Sequence, residues 1–125
     1  VRWLCERFEK RTGIQVKLSA DFRRRLSDEE QTHLFRLVQE ALSNVARHAE
    51  ASMVWVSLHE QSRVIELAIE DNGRGIQFSR IGVEEGFGLV GMRARVRQLG
   101  GEFEIGNRIQ GGARLRVKVP VHSNA

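Results

Sequence analysis

A single stripe of apolar residues, Leu34, Leu37, Val38, Ala41, Leu42 and Val45, constrains this chain more than any other feature. The spacing is that of one face of an α-helix, and such a face needs a second layer to cover it. Ahead of it, Ser27 with Glu30 three residues later forms a capping-box pattern, and the acids around it suit the positive end of a helix. A helix over about 28–48 is therefore predicted. Candidates for the covering layer lie on both sides. Ile14 to Leu18 alternates apolar and polar, as a half-buried strand does. Ser52 to Leu58 and Val64 to Glu70 read as a hairpin with a short polar turn near Gln61 and Ser62. Glu102 to Asn107 and Gly112 to Pro120 read as a second hairpin, with Leu115, Val117 and Val119 inward and Arg114, Arg116 and Lys118 outward. Two more helices are predicted. One covers residues 1–12 through Val1, Leu4, Cys5 and Phe8 and stops at Gly13; the other follows Gly88 through Leu89, Met92, Val96 and Leu99 and closes at Gly100 and Gly101. Residues 20–26 read as a connection and 76–86 as a loop. About three helices and about five mostly antiparallel strands make an α/β (α+β) fold, a two-layer sandwich with a mixed sheet covered on one face.

The 125 residues fit one domain, 1–125, of which 28–120 carries the motifs below. A lone cysteine, Cys5, cannot pair within the chain, so nothing points to an oxidising compartment. No apolar run is long enough to cross a bilayer, and no signal-peptide pattern opens the sequence. Because the chain begins at Val1 rather than methionine, the expectation is a fragment of something longer. The net charge of +4 comes from 20 Lys and Arg against 16 Asp and Glu. That excess is spread out, and its densest run, Arg23 to Arg25, has no aromatics interleaved, so a nucleic-acid partner is not expected. An anionic small ligand or a solvated surface accounts for it as well.

Three places carry chemistry. Glu40 and Asn44 stand four apart at the border of the apolar stripe, where a helix meets its sheet, and their hard oxygens suit a magnesium ion that keeps most of its waters. The alternative is a polar rim with no ligand. In Glu70-Asp71-Asn72-Gly73-Arg74-Gly75, a carboxylate directly follows a buried-type strand and can accept from the exocyclic amine of a base; ordinary turn chemistry explains the same residues. Gly86 and Gly88 precede a helix whose first turn holds Gly91. Exposed amides there, at the positive end of the helix, make an anion site, or else a hinge.

In this order the three describe a nucleotide triphosphate site, and the sequence resembles the ATP-binding domain of sensor histidine kinases. That superfamily also includes gyrase, heat-shock protein 90 and mismatch-repair MutL. "LFRLVQEALSNVARHA" looks like the family's N box, "DNGRG" like its first glycine box and "GFGLVGMRARVRQLGG" like its second. The wording is closest to the kinases that partner nitrate-sensor-type response regulators, and the likeness covers about residues 30 to 120. It implies the Bergerat-type ATP-binding fold, with ATP and Mg2+ as ligands. By resemblance, Asn44 ligates magnesium and Glu40 positions a water or the metal's hydration shell, making these the catalytic pair. Asp71 binds adenine, Gly73 and Gly75 shape the turn beneath it, and Ile76 to Phe87 is the mobile ATP lid. Gly86, Phe87, Gly88 and Leu89 bring main-chain amides to the phosphates. Arg47 and His48 either reach phosphate oxygens or are solvated charge.

The implied partners are the chain's own dimerisation and phosphoacceptor domain, outside this fragment, and a response regulator. The implied setting is the cytoplasmic part of a homodimeric, membrane-anchored bacterial sensor, with no membrane contact by this domain. His33, His48, His59 and His122 lack the setting of a phosphoacceptor. Two departures from the family pattern stand out. The third glycine box is reduced to "QGGARL", with Ala113 where Thr or Ser often stands, and the lid is short, with Arg80 its only cation after Arg74. The competing readings are an ATP hydrolase or serine kinase of the same superfamily, kept open by Glu40, whose carboxylate could activate water, and a non-catalytic interaction module.

Overall fold

The computed structural model describes residues 1–21, 26–77 and 88–120. Helix α1 (Arg2–Thr12) leads through the left-handed Gly13 into strand β1 (Gln15–Asp21). Helix α2 (Asp28–Asn44) runs on into one wider-wound turn, Val45–Ala49, ahead of β2 (Met53–Gln61) and β3 (Val64–Asp71). Helix α3 (Leu89–Gln98), β4 (Glu102–Asn107) and β5 (Ala113–Pro120) complete the order. The sheet runs β1-β2-β3-β5-β4, with β1 parallel to β2 and the other neighbours antiparallel. The parallel pair follows from α2, the crossover that returns the chain to the same edge. The expected mixed, mostly antiparallel five-stranded sandwich is what forms.

One apolar layer holds it together. Val54, Val56, Leu58, Ile65, Leu67, Ile69, Leu115, Val117 and Val119 face the helices and bury almost completely, against Leu34, Leu37, Val38, Leu42, Leu89, Met92 and Val96. At roughly 2 kcal/mol per buried aliphatic side chain, this interface dominates the favourable side of folding. The capping box at Ser27 is present: its hydroxyl accepts from Glu30 N at 3.1 Å, and Glu30 Oε1 accepts from Ser27 N at 2.9 Å.

Several boundaries differ from expectation, β2 among them, which runs to Gln61 rather than Leu58. The α-helical winding stops at Asn44 rather than about 48, and the next turn widens before Glu50 closes it at φ 54. Its last carbonyls are taken from outside the helix: Arg74 N donates to Ala49 O at 2.8 Å and Arg74 Nε to His48 O at 2.8 Å. Strand β1 continues to Asp21, because the ladder to β2 depends on main-chain pairing and persists past the last apolar residue. The β2–β3 turn is Ser62-Arg63, both left-handed at φ 53 and 65, the two-residue geometry that suits the sheet twist.

Candidate functional site

Between the C-terminal half of α2 and the ends of β3 and β5 lies a cleft open to solvent, and Asn44, Asp71, Gly75 and Ile76 all line it. Four positions singled out in the sequence therefore converge. Apolar walls from Ala41, Val45, Ile69, Ile105 and Leu115 complete the cleft, which suits a flat aromatic ligand with a polar edge. The sequence identified Ala41, Val45 and Leu115 as inward apolar positions but not as walls of a site, and it did not single out Ile69 or Ile105.

Asp71 ends β3 and is 5% exposed. Among the described residues, both bonds to its side chain land on Oδ1, from Gly73 N at 2.8 Å and Ala113 N at 3.3 Å. A buried carboxylate held this way has a fixed direction, which is what reading a base edge requires. The turn after it is stapled to β2. Asn72 Oδ1 accepts from Ser52 N and Met53 N, each at 3.0 Å, and its Nδ2 donates to Ser52 Oγ at 3.0 Å.

The third glycine box contributes main chain rather than a hydroxyl. Ala113 uses its N–H, and Gly112, at φ +94, lies so close to Asp71 that a β-carbon would overlap the Asp71 carbonyl. That main-chain bond to Asp71 does not depend on the side chain at position 113.

Glu40 and Asn44 point at a shared cation. Arg47 Nη2 sits 3.3 Å from Asn44 Oδ1 and 3.5 Å from Glu40 Oε1. Two hard oxygens converging on one positive group fit a magnesium ion that retains water, and no cluster of three or more His, Cys, Asp or Glu exists among the described residues to suggest a fuller cage. Glu40 also touches the start of α3. Gly88, left-handed at φ +67, is the N-cap of that helix, and a β-carbon there would come within 2.5 Å of Glu40 Oε1. Leu89 is completely buried and belongs to the core. His48 is half-buried, and its carbonyl serves Arg74. Gly73 lies against the Ala49 carbonyl, and Gly75 beside Asn107. Gly86, Phe87, Arg80, His122 and the Arg23–Arg25 run lie outside the described residues.

Two residues at the β4–β5 turn were not anticipated. Asn107 bonds the main chain of Ile76 at both ends, 2.8 Å each, and Arg108 donates from Nη1 to Asp71 O at 2.9 Å. Arg108 is held in turn by Glu70, 3.2 Å from its Nε, and by the Trp55 ring, 4.6 Å from guanidinium to centroid.

A helix-covered mixed sheet, with a buried aspartate at a strand end and an oxygen pair on the facing helix, defines the class as a two-layer α/β ligand-binding domain. The chain belongs to the family of histidine kinase-, DNA gyrase B- and HSP90-like ATPases, which residues 29–123 match. It is 40% identical over 120 residues to the signal transduction histidine-protein kinase/phosphatase DegS of Brevibacillus brevis, covering 91% of this chain and 30% of that protein. It is 35% identical over 118 residues to the sensor histidine kinase LiaS of Bacillus subtilis (strain 168), covering 94% of this chain and 32% of that one. The chain thus spans less than a third of these relatives. The blue-light activated histidine kinase of Erythrobacter litoralis EL346 has the same fold, with a TM-score of 0.82 at 23% identity over 96% of this chain and 40% of that chain.

Proposed function

We propose that this chain is the ATP-binding catalytic domain of a two-component sensor histidine kinase. It binds Mg-ATP and presents the γ-phosphoryl group to a histidine on a separate dimerisation domain, for onward transfer to a response regulator. The observation that carries this reading is the buried Asp71, fixed through Oδ1 at the floor of an apolar-walled cleft that Asn44 also lines. Asp71 accepts from the adenine amine, and Ile69, Ile76, Ile105 and Leu115 sandwich the ring. Asn44 Oδ1 and, through water, Glu40 hold the metal. A magnesium ion held there would supply charge neutralisation for the phosphates.

Arg47 then moves from these oxygens toward the phosphates, and the amide at Gly88 meets them at the positive end of α3. The chain's own contribution is orientation and charge compensation; the nucleophilic imidazole comes from the dimerisation domain. No helix among the described residues is long and apolar enough to cross a membrane. Placement as the cytoplasmic part of a membrane-anchored, homodimeric sensor is part of the same proposal.

The test uses the longer protein with ATP labelled at the γ-phosphate. Acid-labile label, lost in Asn44→Asp, supports a histidine kinase. Acid-stable label on a hydroxyl, or release of phosphate with no protein label, would replace it with a serine kinase or a hydrolase.

A further inference from the structure

The loop that carries the candidate base-reading residues, Asp71 to Ile76, is held at its two ends by two consecutive residues of another hairpin. Arg108 bonds the Asp71 carbonyl, and Asn107 bonds Ile76. Asn107 is the last residue of β4, paired with Ala113 across the turn. Its Oδ1 accepts from Ile76 N and its Nδ2 donates to Ile76 O, both at 2.8 Å across 31 positions of sequence. A primary amide set against a peptide in this way reproduces one rung of a β-ladder where no strand continues. A carboxylate can only accept there.

We propose that Asn107 is a positioning residue for the nucleotide: its clasp fixes the Gly75–Ile76 wall of the cleft opposite Asp71, and nucleotide affinity depends on that clasp. The proposal rests on the nucleotide reading above. Ile76 is 6% exposed and lines the cleft. Ile105, two residues before Asn107 on the same strand, lines it too, so β4 supplies both a wall and the fastening of the wall beside it. Gly75 precedes the clasped residue at φ +79, and a β-carbon there would stand 2.8 Å from Asn107 Oδ1, so the amide also fills the space beside the turn. Among the described residues, the side-chain hydrogen bonds of Asn107 go to Ile76 and not to Glu40, Asn44 or Arg47. Its effect falls on the base side alone.

The experiment compares this chain with Asn107→Ala and Asn107→Asp, reading amide exchange at Ile76 without ligand and affinity for the non-hydrolysable analogue AMPPNP. Breaking two bonds of ordinary strength should accelerate Ile76 exchange at least about tenfold in Asn107→Ala and weaken AMPPNP by about three- to tenfold. Asn107→Asp keeps the acceptor for the Ile76 amide, so both effects should be intermediate. It also carries the test if the alanine variant fails to fold. Inorganic triphosphate is the control, and its affinity should not change. Unchanged Ile76 exchange in both variants overturns the clasp. Faster exchange with unchanged AMPPNP affinity overturns its link to the nucleotide. If the unsubstituted chain binds no AMPPNP, the nucleotide reading itself fails, and with it the ligand half of the proposal.

Discussion

Gly112→Ala puts a methyl group where the structure has none to spare. At φ +94, a residue with a β-carbon is strained by about 1–2 kcal/mol. The added carbon would also overlap the Asp71 carbonyl oxygen, stand 2.7 Å from the carbonyl carbon and 3.0 Å from Asn72 Cα. All of these are backbone atoms, so relief requires moving the chain, and overpacking of that kind costs about 1–3 kcal/mol more. The two together reach about 2–5 kcal/mol, or about 8–20 °C in melting temperature for a domain of this size. Gly111→Ala supplies the control. Gly111 has φ +101, but a β-carbon there would meet nothing within 4 Å, so only the backbone strain applies. Urea denaturation followed by AMPPNP titration of both variants separates strain from overlap. Gly112→Ala should be the less stable of the two and should bind nucleotide more weakly, because the displaced backbone carries Asp71. Equal stability and equal affinity would refute the close approach.

Three further outcomes follow from other parts of the molecule. Arg63→Gly should stabilise the protein by about 1 kcal/mol, seen as a higher urea midpoint, because Arg63 sits at φ 65 in a two-residue hairpin turn; a lower midpoint would mean that the arginine side chain matters more than its backbone strain. Arg47→Ala should bind Mn2+, without nucleotide, about two- to fivefold more tightly than the unsubstituted chain, since Arg47 shares the Asn44 and Glu40 oxygens in a half-exposed pair of modest strength. Weaker Mn2+ binding would show that the arginine does not compete there. Burial pushes the Cys5 thiol up from its ordinary pKa, so at neutral pH it should resist thiol reagents until urea unfolds the chain. Rapid labelling under native conditions would mean that α1 leaves the sheet.

Periodicity made the fold legible wherever one face of an element is buried. The α2 stripe, the alternating β5 and the Leu89–Leu99 helix all emerge at the expected positions, and Leu37, Val38, Leu89 and Val117 are completely buried. What escaped the sequence depends on contacts between distant segments. The change of winding after Asn44 is tied to Arg74, which reaches back to the carbonyls of His48 and Ala49. The β2–β3 hairpin was legible with its turn near Gln61 and Ser62, but the left-handed geometry of Ser62-Arg63 was not, because that turn lacks the usual Asn-Gly signal.

The site divides in the same way. Asn44 and Asp71 were visible because a polar group at the edge of an apolar stripe, or directly after a buried strand, stands out locally. Asn107 and Arg108 were not, because an asparagine and an arginine before a glycine turn carry no signal until the fold brings Ile76 and Asp71 beside them.

The most direct test of the central claim is a calorimetric titration of this chain with AMPPNP and magnesium, beside Asp71→Asn. The asparagine keeps an oxygen for the Gly73 and Ala113 amides but replaces the second carboxylate oxygen with a donor, which cannot accept from an adenine amine. Saturable binding by the unsubstituted chain, weakened by about tenfold or more in the variant, is the expected result. Equal binding by the two would show that Asp71 does not read the base and that the cleft assignment is wrong.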